Sequence, residues 1–325
     1  MTKRLIVIVC GTVLLIAVAV VVALRKRQPM SKPEAPVAQT PAEVRIKAVE
    51  RNPVAAVVTA APDASRSVAI ICGKDSATSN RYEVRNGALR SIARRRDLPE
   101  KDVAALVAYL RSKDNAMRPE RVAALKNDVM NLLRNQEPAV EGLAETLMGM
   151  FEENSSTHNS PTHPHPPAVL DYCIQHLGTM QGEIIDDALR RRIREIFFFA
   201  ARQMRQPYAG TALYSLAENK HASQSQKNEL KRLTVALCKQ GSHPVARISA
   251  IQLAGALEYK EILPILRETL SSSRRDAVLD IVSIGSLGLL GDESDLDLFS
   301  KFSSDTRRSV AVKAAIKRIK DRASK

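Results

Sequence analysis

Residues 247–255 read R-I-S-A-I-Q-L-A-G, and the fold class follows from this stretch and its copies. Arg247 is followed by small Ala250, apolar Ile251 and Leu253, small Ala254 and then Gly255. That pattern places one apolar and small face along a helix and charge at its start. Residues 308–316 follow the same template, with Arg308, Ala311, Val312, Ala314 and Ala315, and Ile316 in place of glycine. Between them, Ser283, Ile284, Leu287 and Gly288 fit it with Asp280 in the arginine position. The three starts are 33 and 28 residues apart. A fainter copy begins at Arg85, with Ala88, Leu89, Ile92 and Ala93. Small residues at fixed places let paired helices approach closely, and each pair buries its apolar face only by stacking on neighbours.

These residues, above all the L-G-L-L-G-D stretch at 287–292, resemble the HEAT family, including its bacterial short-repeat variants. The resemblance is clearest over the last third of the chain and looser before Pro244. It implies an all-α superhelix of helix pairs, an α-α solenoid of armadillo type. Upstream segments agree with a helical reading. From Arg81 to Arg94 the apolar positions are Val84, Ala88, Leu89 and Ile92. Pro99, Pro119 and Pro138 each restart an amphipathic segment, the last carrying Val140, Leu143, Leu147 and Phe151. Segments at 168–177, 184–203, 209–217 and 227–239 continue the series. Composition points the same way: aromatics are 4%, tryptophan is absent and there are only 13 glycines, so close helix packing is favoured over strands and hairpins.

The expected domain plan has five parts: an N-terminal membrane anchor with basic flanks (1–27), a proline-containing linker (28–42), an N-terminal helical region (43–152), a polar His/Pro loop (153–167), and a C-terminal repeat region (168–325). Leu5 to Leu24 is twenty residues without a charge, roughly 30 Å as a helix and long enough to cross the hydrocarbon core. A cleaved signal has a shorter apolar stretch, about 7–15 residues. A single-pass signal anchor is therefore expected. The terminal cations Lys3 and Arg4 balance Arg25, Lys26 and Arg27, so the positive-inside rule is indecisive. The short tail before the apolar segment suits a soluble domain outside the cytoplasm, whereas the basic flank after it and the unpaired thiols argue for the opposite. An extracytoplasmic soluble domain is the expectation.

The net charge is +14, of which the five anchor-flanking cations account for +5 and leave +9 for the rest. Such a surface favours anionic partners. The clusters are Arg94, Arg95 and Arg96; Arg190, Arg191 and Arg192; and the tail with Arg307, Arg308, Lys317 and Arg318. These ten are the candidate contacts for an anionic partner. HEAT-like DNA-repair glycosylases hold phosphates on cationic concave surfaces, so nucleic acid or another anionic polymer is one expected partner class. The tail has almost no aromatic residues for base stacking, which weakens that reading.

No phosphate loop, nucleophile elbow, zincin motif or dinucleotide fingerprint is present. The four cysteines Cys10, Cys72, Cys173 and Cys238 form no C-x-x-C pair. Cys173 shares an apolar stripe with Val169, Leu170, Ile174 and Leu177 and reads as a core thiol; a bridge to Cys238 is the other option. His158, His163 and His165 lie in a proline-rich loop too unconstrained for a fixed metal site. Phe197, Phe198 and Phe199 read as buried helix. No catalytic, cofactor or metal site is expected. The leading expectation is a membrane-tethered repeat scaffold for a protein partner, with anionic-polymer binding or an enzyme whose site no short motif reveals as the alternatives.

Overall fold

Side-chain caps and prolines decide where the helices begin. Asp63 accepts from the Ser65 amide, Asp186 from Ala188, and Asp276 from Val278 and Leu279. Ser223 and Gln226 close a reciprocal capping box. Pro119, Pro167 and Pro244 open their helices at the first position, where the missing N–H would have had no helical partner.

The computed structural model describes residues 63–74, 81–155, 165–220, 222–272 and 276–324, all within one unit, Thr59–Lys325. Among these residues there are fourteen α-helices, two short 3₁₀ turns and no strand: α1 Ala64–Ile71, α2 Tyr82–Ile92, α3 Glu100–Arg111, α4 Pro119–Arg134, α5 Leu143–Ser155, α6 Pro167–Met180, α7 Asp187–Arg202, α8 Tyr208–Ala217, α9 Gln224–Leu237, α10 Pro244–Ala256, α11 Leu263–Ser271, α12 Ala277–Leu290, α13 Leu296–Ser300 and α14 Ser309–Ala323. The protein is all-α. Among the described residues no helix is long and apolar enough to cross a membrane. The expected anchor and linker, residues 1–42, lie outside the described residues.

The helices pair consecutively: α1 with α2, α3 with α4, and so on to α13 with α14. Pairs then stack, helices meeting their counterparts in the next pair. The second helices form an unbroken row, α2–α4–α6–α8–α10–α12–α14. In the first row α1, α3, α5, α7 and α9 are in sequential contact, as are α11 and α13.

A ladder of small residues sets the spacing of the second row. A Cβ built on Gly210 of α8 would lie 2.7 Å from the Ser249 Cβ of α10. One on Gly255 of α10 would lie 2.7 Å from the Ser286 hydroxyl of α12, and one on Gly288 of α12 would lie 2.6 Å from the Ala315 Cβ of α14. Gly178 of α6 meets Ser215 of α8 in the same way. The backbones are thus too close for any side chain at these glycines. Ser286 also donates to the Ile251 carbonyl at 3.0 Å, so the hydroxyl that fills the seam is itself satisfied.

The template quoted from the sequence falls on this row each time: Arg85 in α2, Arg247 in α10, Asp280 in α12 and Arg308 at the cap of α14. Arg308 Nε donates to Asp280 at 2.9 Å, joining the last two pairs. Arg247 donates to the Cys238 carbonyl at 2.9 Å and the Thr269 hydroxyl at 2.9 Å. Arg85 pairs with Asp114, both buried. The template's charged position therefore clamps neighbouring segments and faces inward.

Four expectations need correction. Pro138 does not open a helix: the Glu137–Pro138 bond is cis, Gly142 follows at φ +70°, and α5 starts at Leu143. The polar loop is shorter than residues 153–167. Glu153 and Asn154 continue α5, with Asn154 buried and donating to the Met150 carbonyl at 2.7 Å, while Pro167 already opens α6. The loop joins the two helices of one pair, because α5 packs on α6. Of the three consecutive phenylalanines only Phe197 is fully buried; Phe199 is 40% exposed and meets Phe151 edge-on at 6.4 Å. Successive helical residues point 100° apart, so one core cannot hide all three. Finally, α1 begins and ends where the sequence reading had no helix.

Cys173 is a fully buried free thiol, as its stripe implied, and burial pushes it up to about 12. Cys238 is likewise free, so the two do not form a bridge. Beside Cys173 lies Lys126, whose side chain is fully buried. Its ammonium donates to the Leu110 carbonyl at 2.8 Å and the Ser112 carbonyl at 2.5 Å, closing the C-terminal end of α3. It also stands 3.1 Å from His165 Nδ1. Burial lowers its pKa to about 8, because a charged amine gives up hydration there that three partners only partly replace.

Candidate interaction face

Among the described residues each interior helix of the second row is flanked by two others of the row, α2 and α14 at its ends by one, and every helix is backed by its own pair partner. One side of each remains open among the described residues, and these open sides together form a face. On α12 the flanks are taken by Ser286 toward α10 and Gly288 toward α14. What is left outward is Val278, Ile281, Gly285 and Leu289, spaced by three, four and four residues. The corresponding line on α10 is Val245, Ile248 and Gln252; on α14, where Ala315 faces α12 one template position later than Ser286 faces α10, it is Val310, Ala314 and Arg318.

The apolar half of this face is unusual for a solvent-exposed surface. Val245 is 53% exposed, Leu289 42% and Val310 75%, and Val278, Ile281 and Ile248 are half-buried beside them. The only charged residues on α10 and α12, Arg247 and Asp280, both bond inward. A contiguous exposed apolar patch of this kind marks an interaction site more often than scattered leucines do.

The opposite half, on α2, α4, α6 and α8, is polar. Thr211 donates to Asp171 at 2.6 Å across the α8–α6 seam. Burial raises the Asp171 pKa, and that hydrogen bond and nearby His243 only partly offset it. Asp128 on α4 is also raised by burial, opposed by Asn127 and Arg90. Between them Tyr172 is pushed up by burial and by both carboxylates. His176 is buried, 3.1 Å from Asn127 through Nε2, and its pKa falls to about 4, first through burial and then through Arg134. Of these, the half-buried Asp128, Asp171 and Tyr172 can exchange hydrogen bonds with a polar partner, whereas His176 is enclosed. Among the described residues no group of three or more His, Cys, Asp or Glu is placed to hold a metal ion.

The ten candidate basic residues do not converge. Arg94, Arg95 and Arg96 follow α2 in the first pair, where Arg96 pairs with Glu137 at 2.6 Å and the Arg95 carbonyl accepts from Gln136. Arg190, Arg191 and Arg192 sit on α7, in the first row, with Arg190 paired to Asp187 and Arg192 to Glu152 at 2.9 Å. Arg308 is held by Asp280 and Asp305, and Lys317 by Asp321 at 3.0 Å. Among the described residues Arg94, Arg191, Arg307 and Arg318 are exposed and make no ion pair. The clusters thus occupy the first, fourth and seventh pairs and both rows. His158 and His163 lie outside the described residues, and His165 is buried against Lys126 rather than exposed.

The face itself was missed in the sequence. Its polar half has no signal there, since Asp128 lies about forty residues before the adjacent Asp171 and Tyr172 and meets them only through stacking. The apolar half had one: α12 reads A-V-L-D-I-V-S-I-G-S-L-G-L-L, apolar on every side, more than one buried side requires. Comparison with protein-family models and with characterised proteins finds no match for this chain.

Proposed function

We propose that the chain is a membrane-tethered, HEAT-like helical-repeat scaffold whose second-row helices line the concave side of a superhelix and bind a protein partner there. The observation that carries this reading is the open face of that row, polar over α4–α8 and apolar over α10–α14. The recurrence of one template on α2, α10, α12 and α14 supports the repeat. The uncharged Leu5–Leu24 stretch supports the tether, and the short tail before it supports a soluble part outside the cytoplasm. No cofactor and no catalytic step belong to this function.

Anionic-polymer binding is the second reading, and the four exposed cations without ion pairs are the residues it would use. Their dispersal over both rows favours the protein partner, because phosphate binding wants positive charge along one track. The test is site-specific photo-crosslinking of the full-length chain in its native membranes. A photoreactive residue at Tyr172 or at Val278, both on the face, should yield protein adducts, whereas one at Arg191 on the first row should not. Adducts from Arg191 alone, or equal adducts from all three, would overturn the assignment of the face. Salt-dependent capture of DNA through Arg94 and Arg318 would favour the second reading instead.

A further inference from the structure

The apolar half of the face has a shape as well as a polarity. At the middle of the outward line of α12, between Ile281 and Leu289, stands Gly285, and a Cβ built there would meet no atom within 4 Å. It therefore differs from Gly288, three residues on, where the approach of α14 requires glycine. A helix interior loses stability to glycine, and among the described residues no packing constraint accounts for it here. The result is a notch in an otherwise filled apolar strip, of the kind into which one side chain of a crossing helix inserts.

Charge borders the strip on one side. The contacts Arg308–Asp280 and Gly288–Ala315 set the register between α14 and α12, so that Arg318, three residues past Ala315, is level with the C-terminal end of α12, where Leu289 closes the strip. Arg318 is exposed and carries no ion pair among the described residues. Arg322 stands at the same end, donating to the Gly288 carbonyl at 2.8 Å and the Gly291 carbonyl at 2.6 Å. A second copy of this chain, with net charge +14, would bring more positive charge to an already positive border. A flat lipid surface has nothing to seat in the notch.

We propose that this strip binds an amphipathic helix of a partner protein, which seats one apolar side chain over Gly285 and sets a carboxylate against Arg318. The proposal rests on the scaffold reading above and names the partner's chemistry.

The test uses the full chain in lipid nanodiscs and a fluorescein-labelled 18-residue helical peptide with leucines along one face and glutamates flanking them, read by anisotropy. Binding is expected to weaken at least tenfold in Gly285→Gln, which fills the notch without adding charge. It should also weaken at least fivefold in Arg318→Glu, and with a peptide whose glutamates are replaced by lysines. Matching far-UV circular dichroism, with melting temperatures no lower than wild type for both variants, excludes loss of fold as the cause. Wild-type binding that survives Gly285→Gln, or equal binding of the lysine peptide, would overturn the proposal. So would dimerisation that Gly285→Gln abolishes, or binding of phosphatidylserine vesicles by the Leu14→Arg/Leu15→Arg chain in place of the peptide. Crosslinks from Tyr172 without peptide binding would leave the scaffold reading standing and defeat only this one.

Discussion

At the scale of single residues, burial governs the chemistry more than charge pairing does. His176 shows it most clearly. Its Nε2 lies 3.1 Å from the Asn127 side-chain Oδ1, whereas the buried Nδ1 has no hydrogen-bond partner among the described residues. The neutral ring with hydrogen on Nε2 fits this site; a second proton on Nδ1 would be buried and unpartnered, with Arg134 nearby. The folded-state pKa of about 4 lies below the ordinary value near 6.5. A depressed pKa means the stabilisation is fully present above about pH 6.5 and is lost as pH falls through about 4. The protein is expected to lose about 2–3 kcal/mol over that window through this group. His176→Gln, which can still donate to Asn127 but does not titrate, should flatten that part of the profile. Urea melts at pH 7, 5.5 and 4 provide the check; parallel losses in the two proteins would assign the acid sensitivity elsewhere. Nothing in the sequence marks His176 as buried beyond its place on the α6 stripe, since its cost depends on Asn127 and Arg134 from another pair.

At the scale of elements, the second-row helices were legible where their small residues repeat and illegible where periodicity is lost. Pro119, Pro167 and Pro244 open helices because a first-turn proline needs no hydrogen-bond partner. Pro138 carries the same residue type but lies in a turn, a tertiary choice made with Gln136 and Glu137, which bond back to the α2–α3 connection. The first helix was missed because V-A-I-I is a short apolar run with no period to distinguish helix from strand. On α12 the inward and outward residues are equally apolar, so only the positions of α10 and α14 divide them. Two glycines on that helix now separate the roles. Gly288→Ala would push a methyl into Ala315 and should cost about 1–3 kcal/mol. Gly285→Ala adds a methyl in open space and should stabilise by roughly 0.5–1 kcal/mol. Thermal melts of the two variants decide it; destabilisation by Gly285→Ala would mean that α12 lies against something on its outward side within the chain itself.

At the scale of the whole molecule, almost every contact runs to the pair partner or to the next pair, so the described region behaves as a row of units rather than as one core. That explains why the basic clusters looked like one property in sequence and became three separate surfaces in space: a stack preserves order along the chain, and residues a hundred apart end up pairs apart. It also predicts uneven stability. An interior pair such as α7–α8 is held on both sides, whereas the first described pair has one stacked neighbour and an eight-residue α1. The last pair has a five-residue α13, but its long partner is fastened by Arg308 to Asp280 and by Arg322 to the carbonyls closing α12. In native-state hydrogen exchange the amides of α1 and α2 should therefore open first, those of α13 and α14 next, and those of α6, α8 and α10 last. Arg308→Ala should move α14 into the earliest class while leaving α6 unchanged, because its clamp acts only on the neighbouring pair. Equal protection from α2 to α14, or an Arg308→Ala effect reaching α6 with the same magnitude, would show one cooperative core. The nearest-neighbour stack would then be the wrong description, together with the separable halves of the face it supports.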